Sequence, residues 1–140
     1  MMKYRKLPEN ILELLPLAVD YLKVHPKVIF SYLFGSLARR HLLPLSDIDI
    51  AVYLKPGTNF VEYKLEILGE LMDILQTDEI DLVILNIADI PLVMNIVKVK
   101  EIIVDNDPFE RHRFESLIMR KYFDFSYKEL NQLRRRYLHG

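Results

Sequence analysis

The chain has 140 residues, of which 51% are hydrophobic and 28% charged, with a formal net charge of −1. This size and balance predict one globular domain over residues 1–140 that buries about 70% of its unfolded surface. The near-zero charge lacks the electrostatic footprint of direct nucleic-acid binding, and no apolar run approaches the ~18 residues of a membrane span. Cysteine is absent, which fits a reducing, cytoplasmic compartment. The apolar stretch near the N-terminus is interrupted by Glu13 and Asp20, so it reads as an amphipathic helix and not as a signal peptide.

That helix is expected over about residues 9–24, with Ile11, Leu14, Leu15, Ala18 and Leu22 on one face. The β-branched and aromatic run 27–34, "KVIFSYLF", predicts a strand. A second strand follows at 47–54, "DIDIAVYL", and Pro56-Gly57 then signals a turn. Val61, Leu65, Leu68, Met72 and Leu75 recur at spacings of three and four and predict a helix over about 60–76. Residues 80–86, "IDLVILN", read as a third strand. Pro91 suits the first turn of a short helix over about 90–97, and "EIIV" at 101–104 predicts a fourth strand. Asp107-Pro108-Phe109-Glu110 has the form of an N-cap, a proline at the first helical position and an acid at the third. It opens a long helix to about Leu138. The order predicts an α/β (α+β) fold with a mixed, four-stranded sheet packed with helices. About 12 residues, Gly35 to Ser46, join the first two strands. That length leaves their relative direction open.

The unusual feature is a pair of acids, Asp47 and Asp49, at the head of an otherwise core-like strand. Period two puts them on one face about 7 Å apart, while Ile48, Ile50 and Val52 point to the other. Two carboxylates so placed repel unless a cation lies between them, and a hard divalent ion such as Mg²⁺ or Mn²⁺ suits oxygen ligands. Such a site leaves positions for water and phosphate oxygens, as phosphoryl or nucleotidyl transfer requires. Asp81 heads the third strand and joins this face if the two strands are neighbours. Gly35-Ser36 ends the first strand, where glycine lets the backbone approach a phosphate, and the amides and helix start beyond it attract anions. Arg39, Arg40 and His41 would then lie near a polyphosphate. Each piece alone is commonplace: a solvated strand edge, a turn, a charged helix face. Their combination is specific.

Gly-Ser, ten residues, Asp-x-Asp and a distal acid resemble the nucleotidyltransferase superfamily that includes DNA polymerase beta. Within it, "GSLARRHLLPLSDIDIAV" looks like the minimal nucleotidyltransferase (MNT) family, of which many members are antitoxins paired with a HEPN-domain toxin. Gly35, Ser36, Ala38, Arg39, Ser46, Asp47 and Asp49 match its motif, and Arg40 stands where the family often has glycine. The resemblance implies the nucleotidyltransferase fold, ATP as substrate and two Mg²⁺ ions. It implies metal binding by Asp47, Asp49 and Asp81, with Asp81 helping to activate the attacking hydroxyl. Gly35, Ser36, Arg39 and Ser46 would hold the nucleotide. The implied reaction is AMP transfer from ATP to a tyrosine of the toxin. Two alternatives stay open: a binding module that neutralises its partner by contact, and an adenylyltransferase acting on a small molecule.

Tyr122, Phe123, Phe125 and Tyr127 cluster on the last helix beside Lys121 and Lys128. Phe114, Ile118, Tyr122 and Phe125 form a stripe that predicts core packing, but four aromatics in six residues cannot share one face. A partner-binding surface is the second reading.

Overall fold

The structure, a computed structural model, describes residues 9–35 and 47–138. Its elements in chain order are α1 (Ile11–Val24), β1 (Val28–Phe34), β2 (Ile48–Leu54), α2 (Phe60–Leu75), β3 (Ile80–Ile84), α3 (Ile90–Val99), β4 (Glu101–Asp105) and α4 (Pro108–Leu138). The short helix expected after Gly35 lies outside the described residues. Among the described residues, no helix is long and apolar enough to cross a membrane.

The four strands form one mixed sheet in the order β3-β2-β1-β4. β1 runs antiparallel to both β2 and β4, and β2 runs parallel to β3. The direction that the connection length left open is therefore antiparallel. The parallel β2–β3 pair needs a crossover, and α2 supplies it.

Local chemistry explains where the helices begin. The Asn59 side chain accepts a hydrogen bond from the Glu62 amide at 3.1 Å, capping α2. Asp107 does the same for the Glu110 amide at 3.1 Å, ahead of Pro108, as its sequence predicts. Gln76 closes α2 in the left-handed conformation, φ 55°.

Both faces of the sheet are covered. On one, Ile11, Leu15, Ala18 and Leu22 of α1 and Ile67, Leu71 and Leu75 of α2 pack on Ile48, Ile50, Val52 and Leu54 of β2. Each buried aliphatic side chain contributes about 1.5–3 kcal/mol. The face expected for α2 is corrected here. Ile67, Leu71 and Leu75 are buried, whereas Val61 and Leu65 are exposed. Leu75 belongs to both the expected and the observed face; the buried stripe is turned by about 80° from the expected one, and docking against α1 selects it.

On the other face, Phe30, Tyr32, Ala51 and Tyr53 pack against Val93 and Ile96 of α3 and Phe114 and Ile118 of α4. Phe30 stacks on Tyr53 with ring centroids 4.7 Å apart. An ionic network pins α4 here. Glu115 accepts hydrogen bonds from the Tyr32 hydroxyl at 2.6 Å and Arg111 Nη1 at 3.0 Å. Lys100 Nζ lies 3.1 Å from the same carboxylate, and Arg111 Nε donates to Asp105 at 3.0 Å. The aromatic stripe of α4 is only partly core. Phe114 and Ile118 are buried, Tyr122 is half-buried, and Phe123, Phe125 and Tyr127 are exposed.

Candidate active site

The antiparallel pairing of β1 with β2 sets the end of one strand beside the head of the other. Phe34 is the register partner of Asp49, so Gly35 arrives next to that carboxylate. Gly35 has φ +72°, and a Cβ at this position would collide with the Asp49 carboxyl oxygen. Glycine is needed here for its backbone conformation and for the space it leaves.

The parallel pairing of β2 with β3 makes Asp81 the register partner of Asp49. Strand partners share a face, so both acids point the same way. Asp47, just before β2, lies on that face two residues back. Farther along the face come Ala51 and Tyr53, buried beneath α3 and α4. Among the described residues, the acids thus occupy the end of the sheet face beyond the helix cover: Asp47 and Asp81 are exposed and Asp49 is half-buried. Ser36, Arg39 and Ser46 lie outside the described residues, as do Arg40 and His41.

The electrostatics reflect this crowding. Burial, then the Asp81 and Asp47 charges, push the Asp49 carboxyl up from 3.8 to about 6. A fourth acid stands nearby. The Ile48 amide donates to the Glu79 carbonyl at 2.8 Å, and the Glu79 carboxyl shares a hydrogen bond with Asp47 that raises its pKa. Glu79 lies outside the sequence motif. The available signal was its spacing: Glu79 and Asp81 repeat the one-apart pattern of Asp47 and Asp49.

Among the described residues, no three such side chains are drawn together as a ready-made metal cage. The donor set nevertheless has the right chemistry for a hard divalent cation. It is all carboxylate oxygen, and the burial and neighbouring charges that raise the Asp49 carboxyl are effects a cation would offset.

A pH dependence follows. Asp49 binds its proton more tightly folded than unfolded, so its ionisation costs stability as pH rises from about 4 through about 6. In chelator-treated protein, Asp49→Asn is expected to be more stable than wild type at pH 7.5 by about 1 kcal/mol, allowing for screening of a half-exposed group. The gap should close toward pH 4, where wild type is also neutral at this position. Urea melts at the two pH values check it, and a pH-independent gap would contradict the raised Asp49 carboxyl.

The family model described as Polymerase beta, Nucleotidyltransferase matches residues 18–109. Among curated proteins, none matches the chain in sequence. Solved structures share the fold. One, a toxin–antitoxin with AMP-PNP, is 24% identical with TM-score 0.67, over 89% of this chain and 93% of that one. A mutant MntA–HpeT toxin–antitoxin is 25% identical with TM-score 0.65, over 91% and 95%. A tri-AMPylated Shewanella oneidensis HEPN toxin in complex with its MNT antitoxin gives 23% identity and TM-score 0.61, over 89% and 90%.

Proposed function

Because the chain belongs to the polymerase beta nucleotidyltransferase family, we propose that it transfers AMP from ATP to a tyrosine hydroxyl of a partner HEPN-domain toxin and so acts as that toxin's antitoxin. The observation that carries the reading is the register of Asp49 with Asp81 beside Gly35. It supports a carboxylate face at the mouth of a backbone turn able to approach phosphate. The AMP-PNP and tri-AMPylated neighbours support nucleotide and acceptor of this kind.

In this scheme Gly35 and the following segment, with Ser36, Arg39 and Ser46, cradle the triphosphate. Asp47, Asp49 and Asp81 are the ligands for Mg²⁺, which when bound supplies charge neutralisation at the phosphates. Asp81 accepts the proton of the attacking tyrosine hydroxyl. The tyrosine oxygen forms a bond to the α-phosphorus, the bond from that phosphorus to the bridging oxygen breaks, and pyrophosphate leaves. The added phosphodiester gives the toxin bulk and negative charge, which would repel an anionic RNA if the toxin is a ribonuclease, as the MNT resemblance implies.

The test is to incubate the chain, ATP and Mg²⁺ with the product of the adjacent gene and weigh the products by intact-mass spectrometry. Mass increments of AMP on the toxin, lost with Asp47→Asn, are expected. Neutralisation of the toxin with no mass change would leave only contact inhibition.

A further inference from the structure

Helix α4 runs for 31 residues, but its packing ends early. Ile118 is its last buried side chain. From Met119 to Tyr137 the helix continues for about 27 Å with no buried residue. Within that span Met119, Phe123, Ser126, Leu130, Leu133 and Tyr137 recur at spacings of four, three, four, three and four. This is the a/d repeat of a coiled-coil seam, with small Ser126 at one inner position. The five large members are 49%, 75%, 49%, 51% and 72% exposed. Lys121, Lys128 and Arg135 repeat every seven residues on the opposite side, so the helix is amphipathic with its apolar side open. An amphipathic helix owes most of its stability to what its apolar face packs on, and the described fold offers this seam nothing.

Charge decides the occupant. The seam is flanked by Arg120, Arg134 and Arg136 against one acid, Glu129. A second copy would bring that excess against itself, at a cost in repulsion, whereas acidic flanks would complement it. We infer that this seam docks a partner protein through an amphipathic helix with an apolar heptad stripe and acidic flanks. The inference deepens the proposed function, on which it rests in taking the partner to be a separate protein. It gives that partner a docking element away from the carboxylate face.

The probe is a fluorescein-labelled helical peptide of about three heptads, leucine and isoleucine at a and d and glutamate at e and g. A control peptide has lysine at e and g. Fluorescence anisotropy with the full chain should show the acidic peptide binding at least about tenfold more tightly than the control. Leu130→Glu should weaken it by about 30-fold or more, and Arg134→Glu with Arg136→Glu should narrow the preference between peptides. The exposed variants should keep the wild-type melting temperature and its rise with Mg-ATP. A lost docking is thereby separated from unfolding and from failure of the nucleotide site. Equal binding of both peptides, or no binding, overturns the inference. So does sedimentation of the chain alone as a dimer that Leu130→Glu dissociates, which would make the occupant a second copy.

Discussion

Asp81→Asn is expected to slow AMP transfer by about 10³-fold, about 4 kcal/mol of barrier, while ATP still binds. Asparagine preserves the shape of the side chain and the β3 register with Asp49. It removes the carboxylate proposed to take the tyrosine proton, and it also relieves part of the charge that raises Asp49. Asp47→Asn differs, because Asp47 is proposed to hold metal and nothing else, so it should lose transfer and nucleotide-dependent stabilisation together, whereas Asp81→Asn keeps the proposed ligand pair Asp47 and Asp49. Single-turnover transfer, read beside the melting-temperature rise with Mg-ATP, separates the two roles. Turnover of Asp81→Asn within tenfold of wild type would remove Asp81 from the mechanism.

The second large effect is on stability. Glu115→Ala should destabilise the fold by about 3–5 kcal/mol, the usual cost of breaking a buried ion pair from one side. Burial by itself would raise the Glu115 carboxyl. Hydrogen bonds from Tyr32 and Lys100, with the Lys100 and Arg111 charges, outweigh it and hold the pKa below its usual value. Removing the carboxylate strands the Tyr32 hydroxyl and leaves Lys100 and Arg111 without their shared acceptor in a largely buried place. The loss appears as a lower urea midpoint at pH 7. The folded-state pKa is depressed, so this contribution is present above the unfolded value and fades as pH falls through the folded one. Its sign is opposite to that of Asp49. A cost under 1 kcal/mol would mean that water replaces the network.

Much of this molecule was legible in the sequence because its signals are local. Period two separates Asp47 and Asp49 from Ile48 and Ile50 within one strand, whatever that strand pairs with. The cap at Asp107 acts within three residues of itself. The Gly-Ser and Asp-x-Asp spacing carries a family resemblance along the chain, and the family model covers that stretch.

What depended on distant parts of the chain needed the tertiary structure. Twelve residues between β1 and β2 permit either direction, and antiparallel pairing decided it. The α2 sequence offers two overlapping apolar stripes, and packing chose Ile67 and Leu71 over Val61 and Leu65 while keeping the expected Leu75. The spacing of Glu79 gives its strand face but not its meeting with Asp47, and Tyr32 on Glu115 joins a strand to a helix that no periodicity connects. The sequence by itself determined which residues share a face within each element, since backbone geometry repeats every two or 3.6 residues. Only the tertiary structure decided which faces meet, because register and docking come from summing contacts between segments far apart in the chain. That is how Asp81 came to stand beside Asp49.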